Sequence, residues 1–327
     1  MTTLVLDRRD LALELQPGRL RLRAPDENPR DVPLALLERV VIHSRTLLDS
    51  AVLGALAEAG VAVLVLSPRR HQRMAILLGR SHNDLATRLA QAERLRDADW
   101  CLYWARRLVR AKLRGQIHFN RNALALRPDA RRTLQRSHDS LQRIRERLPA
   151  AADLPSLRGL EGAAAAAHFQ ALGAVLPPAL GFTGRNRRPP RDPANAVLSL
   201  AYTLLHFEAV RAGHAAGLDP YIGFYHRPSF ARASLASDLI EPLRPWLDQH
   251  LWRLFAERVL RPEHFTLDRD ACLLGKAGRE RFYPCYETLI RPARRALRRS
   301  ARHLAVALAR GLALEISDDD DEETPLP

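Results

Sequence analysis

The hydrophobic periodicity of this chain changes once, near residue 80, and that change constrains its fold more than any other feature. Before it, Leu11, Leu13 and Leu15 alternate with less apolar neighbours, Leu20 and Leu22 do the same, and Pro17-Gly18 lies between them. A period of two on either side of a Pro-Gly pair predicts a β-hairpin. The apolar runs at 40–42, 61–66 and 74–78 are expected to be further strands. Leu48, Val52 and Leu56 fall at helical spacing, and Gly60 is placed to end that helix. Beyond residue 80 the helical period takes over. Residues 84–114 carry Leu85, Leu89, Trp100, Trp104 and Leu108, with the tryptophans read as core; 129–148 repeats the theme with Leu141, Ile144 and Leu148 before Pro149. The expected class is α+β: a small β-rich N-terminal domain over 1–80, then a larger all-α domain over 81–316. Residues 317–327 cannot bury apolar surface and are expected to form a disordered acidic tail.

Within the helical part, Asp153–Ser156 reads as a turn leading into a helix that passes Glu161 and an alanine series to about Leu176. A Pro- and Gly-rich loop follows. Asp192 is placed to cap the next helix with Pro193 in its first turn, and Gly217 to end it. Ser234 is the expected cap of a helix carrying Asp238 and Glu241. Pro242 deprives the Asp238 carbonyl of its usual donor and predicts a kink there. The remainder is mostly helical, interrupted around 262–284 by a shorter region that includes strand.

Charge narrows the partners. The net charge is +14, and because six acidic residues cluster at 318–323 the rest of the chain carries +20. A polyanionic partner such as nucleic acid fits that balance. Arginine supplies 49 of the 51 basic residues, a bias that genome composition alone can produce, so position must decide. The three cysteines, Cys101, Cys272 and Cys285, are too far apart for a zinc knuckle and odd in number for a disulfide framework. No apolar run approaches the ~18 residues of a membrane span, and charges at Asp7 and Arg8 interrupt any signal-peptide core. A cytoplasmic location without membrane contact is expected.

The stretch 213–245 holds the chemistry. His226 follows Phe224 and Tyr225, and Asp238 and Glu241 lie three apart, on one face of a helix. Glu161 is the best additional carboxylate. Glu161, His226 and Glu241 together offer two hard oxygens and one imidazole, which suits Mn²⁺ and admits Mg²⁺, while zinc prefers more His or Cys. Asp238 is then a supporting group or an alternate ligand. His168, His206 and His214 are read as packing or surface residues. A divalent ion in a basic protein points to phosphodiester chemistry, with cationic support from Arg244 or from the loop carrying Arg185, Arg187, Arg188 and Arg191.

Four segments together resemble the CRISPR-associated integrase family, the metal-dependent endonuclease/integrase of spacer acquisition. They are G-L-E-G-A-A-A-A-A-H-F at 159–169, N-R-R-P-P-R-D-P-A-N-A-V-L-S-L-A-Y-T-L-L at 186–205, G-L-D-P-Y-I-G-F-Y-H at 217–226 and S-L-A-S-D-L-I-E-P-L-R-P at 234–245. The resemblance covers nearly the whole chain apart from the acidic tail. It implies an N-terminal β domain that dimerises, a helical catalytic domain, and Glu161, His226 and Glu241 as metal ligands with Asp238 beside them. It implies a homodimer that joins a small ferredoxin-like subunit as a heterohexamer. Two dimers would grip a short DNA duplex and direct its 3′-hydroxyls to a repeat phosphodiester, with no nucleotide cofactor. His168 departs from the tyrosine that the family often places before the phenylalanine. A branched-DNA repair nuclease and a non-catalytic, Arg-rich DNA-binding scaffold are the competing readings.

Overall fold

The computed structural model describes residues 2–8, 10–25, 27–67, 73–79, 85–186, 189–230 and 232–309. The expected acidic tail lies outside them. The first strands are β1 (Thr2–Leu6), β2 (Leu11–Gln16), β3 (Arg19–Arg23), β4 (Arg30–Pro33), β5 (Leu37–Ile42) and β6 (Thr46–Leu48). Helix α1 (Ser50–Glu58) follows, then β7 (Ala62–Leu66) and β8 (Arg73–Leu77). They form two four-stranded sheets, ordered β1-β5-β7-β8 and β4-β3-β2-β6. The predicted hairpin is β2–β3, and Gly18 turns it at φ 69°, a conformation glycine adopts without a Cβ penalty.

In the first sheet β5 runs parallel to both β1 and β7. Its side chains divide by parity. Val40, Ile42 and Val63 pack with Leu6, Leu13 and Leu20 between the two sheets. Val41, Leu64 and Leu66 point the other way, into the core of the helical part. A strand covered on both faces must be apolar throughout, which is why 61–66 reads as an unbroken apolar run.

The helices are α2 (Leu85–Arg94), α3 (Ala98–Leu126), α4 (Arg131–Arg147), α5 (Leu154–Val175), α6 (Pro193–Ala215), α7 (Ser234–Ile240) and α8 (Arg244–Ala256). A short hairpin, β9 (Phe265–Asp268) with β10 (Ala271–Leu274), precedes α9 (Lys276–Ala309). The class is α+β, as the periodicity predicts. The helical pattern over 84–114 falls in two helices, because the Asp97 side chain accepts the Trp100 N–H at 2.9 Å and starts a new helix. Trp100 and Trp104 are core residues, both edge-on to Phe224. All three cysteines are free thiols. No helix among the described residues is long and apolar enough to cross a membrane.

A buried ion network ties the two parts together. Arg39 of β5 pairs with Glu208 of α6 and, at 2.5 Å, with Glu287 of α9. Arg294 of α9 joins both of these acids, and Glu38 of β5 takes Arg298 at 2.7 Å.

Candidate active site

Helix α3 is the pillar against which the site is assembled. Its Leu113 and Ile117 pack with Leu141 and Ile144 of α4 and with Ala164 and Ala167 of α5. The alanines let α4 come close, and Ser137 donates from α4 to the Ala167 carbonyl at 2.8 Å. Asp153 caps α5 by accepting the Ser156 N–H, which fixes where Glu161 emerges two turns later. On its other side α3 meets the turn after α7. A Cβ on Gly115 would stand 3.2 Å from Pro245, so the missing side chain permits this close approach. Lys112, one turn earlier, reaches both sides of the junction.

Asp192 accepts the Asn195 N–H at 2.8 Å and starts α6 with Pro193 in its first turn, as expected; Gly217 ends it at φ 77°. The chain then enters the His226 loop, which is held at several points. Buried Gln91 of α2 donates to the carbonyls of Asp219 and Ile222 and accepts the Asp219 N–H. Arg158 of α5 donates to the Tyr225 carbonyl at 2.7 Å. Fully buried Asp238 accepts the backbone N–H groups of Phe224, Tyr225 and His226 at 2.8–3.0 Å. A Cβ on Gly223 would lie 2.6 Å from the Ser234 backbone and 2.8 Å from Asp238, so only glycine lets the loop come this near α7.

Asp238 also takes the His226 Nδ1–H at 2.7 Å. That fixes the tautomer and leaves Nε2 as an acceptor, 3.8 Å from Glu241 Oε1. Pro242 acts as predicted in a tighter form. The Glu241 N–H bonds the Asp238 carbonyl three residues back, and a 3-10 turn over Glu241–Leu243 carries the chain into α8. Ser234 does not cap α7: its hydroxyl turns back to the Arg227 carbonyl, and the cap position falls on Ala233.

Two carboxylates thus meet one ammonium. Lys112 Nζ donates to Glu161 Oε1 and, at 2.7 Å, to Glu241 Oε2. Arg244 stands 3.2 Å from the other Glu241 oxygen. Burial opposes ionisation of Glu241, but Arg244 and Lys112 outweigh it and hold the carboxyl at about 2. Burial, and then the charges of Glu161 and Glu241, push the Tyr225 hydroxyl far above its ordinary value, so it is neutral beside them. The structure therefore brings Glu161, His226, Asp238 and Glu241 to one place.

The residues present suit a hard divalent cation: two carboxylates already balanced by positive charge, and an imidazole whose free lone pair faces one of them. As arranged, no three His, Cys, Asp or Glu side chains among the described residues stand close enough to hold an ion, because the Lys112 ammonium lies between the acids. Sequence reasoning missed Lys112. The available signal was its type, one of two lysines among 51 basic residues.

The basic candidates divide. Arg244 lies in the site, stacked over the Tyr202 ring at 4.9 Å. Arg185 stacks over the same ring at 5.6 Å and donates to Asn195 and Ser199, so it organises its own loop rather than projecting from it. Arg191 is exposed, its N–H held by Asn186. Arg187 and Arg188 lie outside the described residues. His168 is 2% exposed and pairs with Asp248 at 2.9 Å, and Tyr202 donates to the other oxygen of that carboxylate at 2.5 Å. It is a buried core residue, held through Nε2, with no hydrogen-bond partner for Nδ1 among the described residues.

The fold recurs in proteins of known structure. It matches a Cas1 protein from Thermotoga maritima (TM-score 0.84, 21% identity, 98% of this chain and 100% of that one). It also matches a casposase bound to integration product (TM-score 0.83, 19% identity, 96% and 92%). The chain belongs to the family of CRISPR associated protein Cas1, whose model matches residues 4–288. A curated relative, the CRISPR-associated endonuclease Cas1 1 of Thermodesulfovibrio yellowstonii, is 35% identical over 302 residues, 90% of this chain and 93% of its own length. Another, the endonuclease Cas1 3 of Thermus thermophilus, is 35% identical over 281 residues, 84% and 80% respectively.

Proposed function

We propose that this protein is a metal-dependent DNA endonuclease/integrase that inserts short duplexes into a CRISPR array. In this reading a 3′-hydroxyl attacks a repeat phosphodiester, exchanging one ester for another without a nucleotide cofactor. The observation that carries it is the meeting of Glu161 and Glu241, 80 residues apart in sequence, at one ammonium, with His226 Nε2 facing Glu241. Glu161, His226 and Glu241 would hold Mg²⁺ or Mn²⁺, and the bound ion supplies Lewis-acid polarisation of the phosphate and a lowered pKa for the attacking hydroxyl. Asp238 keeps the His226 Nδ1–H engaged so that Nε2 stays an acceptor. Arg244, its guanidinium kept charged by Glu241, is placed to offset charge that develops on the phosphate. Exposed Arg191 would add cationic support for the DNA backbone, a role also proposed for Arg187 and Arg188.

The partners follow from the same family reading. The β-rich unit over 1–80 serves dimerisation and 81–316 the chemistry, in a cytoplasmic heterohexamer with a small ferredoxin-like subunit. Among the structural neighbours, a Cas6-RT-Cas1–Cas2 complex contains a chain of the same fold (TM-score 0.80, 23% identity, 95% of this chain and 35% of that one).

The test is strand transfer of a short duplex into a repeat-bearing plasmid. Glu161→Ala and His226→Ala are expected to abolish joining while duplex binding and the folded circular-dichroism spectrum persist. Products that are cut but never joined would favour a repair nuclease. Activity untouched by EDTA would refute metal dependence, and duplex binding with no strand chemistry in any metal would leave only the scaffold reading.

A further inference from the structure

Of the two lysines, Lys276 sits on the surface of α9, 4.0 Å from Glu280. Lys112 is 7% exposed and touches two of the proposed metal ligands. In a chain that uses arginine for 49 of its 51 basic residues, an ammonium at this one buried position is a choice of chemistry. A guanidinium is a rigid planar fork that locks onto carboxylates two bonds at a time. An ammonium is a compact point charge on a flexible four-carbon stem. The first is suited to stay; the second is suited to withdraw.

The acids need such a charge. Glu241 is buried and Glu161 half-buried, and two carboxylates facing one another there repel unless a positive charge lies between them. Arg244 reaches Glu241 only, and Lys112 is the hydrogen-bonding partner of Glu161 among the described residues. The ammonium also sits between the very oxygens that a divalent ion would have to coordinate, so the two cations exclude each other on charge and on space.

We propose that Lys112 is an internal counter-cation that holds Glu161 and Glu241 together until a divalent ion replaces it, so that metal entry is an exchange. The inference rests on the metal-dependent reading above. It has two consequences. The site assembles during folding, before metal arrives. The apparent affinity for metal is lower than the ligands alone would give, because a tethered competitor must be displaced first.

The chain offers a direct readout, since ¹³Cε-labelled lysine gives two signals, with Lys276 as an internal reference. Titrating Mg²⁺ into the full-length protein is expected to move the Lys112 signal and leave that of Lys276 in place. Glu161→Gln is expected to remove the Mg²⁺ uptake seen by calorimetry. Lys112→Met is expected to lower the thermal midpoint of the metal-free protein and to raise Mn²⁺ affinity about tenfold, equivalent to roughly 1.4 kcal/mol, read from the free-Mn²⁺ electron paramagnetic resonance signal. If this variant does not fold without metal, the wild-type titration decides. Glu161-dependent Mg²⁺ uptake with an unmoved Lys112 signal overturns the exchange and leaves the metal site standing. Absence of any Glu161-dependent uptake overturns both.

Discussion

Replacing Asp238 by asparagine tests the chemistry of the His226 loop with the change of a single atom. The carboxylate serves four donors: Oδ2 takes the amides of Phe224 and Tyr225, and Oδ1 takes the His226 amide and Nδ1–H. An asparagine NH₂ toward the first pair strands two amides; turned toward His226 it strands one, so the second orientation is favoured. In that orientation the NH₂ donates to Nδ1, the imidazole proton moves to Nε2, and the nitrogen facing Glu241 becomes a donor instead of a ligand. One stranded buried amide costs about 1–3 kcal/mol. For 327 residues unfolding with ~2.1 cal/mol/K each, that is a fall of about 1.5–4.5 °C in Tm. Loss of the lone pair at Nε2 is expected to weaken Mn²⁺ binding by roughly ten- to a hundredfold. The assays are differential scanning fluorimetry, Mn²⁺ titration, and histidine ring ¹⁵N shifts, which report the tautomer. An Asp238→Asn protein with wild-type Mn²⁺ affinity would refute the reasoning, and so would unchanged His226 ring nitrogens.

Gly223→Ala is expected to destabilise the protein by about 1–3 kcal/mol, because the new methyl meets backbone of α7 that cannot yield, and to impair strand transfer as well; urea unfolding and the plasmid assay check both. Arg39→Met removes the more buried of the two cations near Glu208 and Glu287, leaving Arg294, and is expected to cost about 3 kcal/mol. A thermal midpoint unchanged in that variant would show that Arg294 alone satisfies both acids. Asp192→Ala removes the cap of α6 together with the bonds that Asp192 accepts from Asn186 and Asn195, and is expected to cost about 1–2 kcal/mol by the same measurement.

Local chemistry made several of these elements legible in the sequence. Pro17-Gly18 announces its hairpin, Asp192-Pro193 its helix start and Gly217 its helix end, since each acts through bonds to its immediate neighbours. Residue types suggested Glu161, His226 and Glu241 as a triad, and the four family segments strengthened that reading, because nothing local specifies a contact across 80 residues. Lys112 was missed although its type is rare here and it falls at helical spacing from Leu108 and Gln116, because nothing local names its partners. Its burial comes from α5 and the Pro242 turn closing over it. Ser234 misled for a related reason, since its hydroxyl has a nearer acceptor in the folded loop than the helix it was expected to cap. The place where α2 gives way to α3 was not marked by the apolar spacing, which continues across it; the Asp97 cap sets it.

The sheet of β1, β5, β7 and β8 is a wall with a room on either side, and neither room stands without it. A fragment begun after residue 80 would lose Val41, Leu64 and Leu66 from its lining. It would also lose the edge-on contact between His43 and Tyr283. Such a piece would present bare hydrocarbon to water and precipitate. The helical half is therefore not a detachable module, since the near face of that wall is part of its own interior.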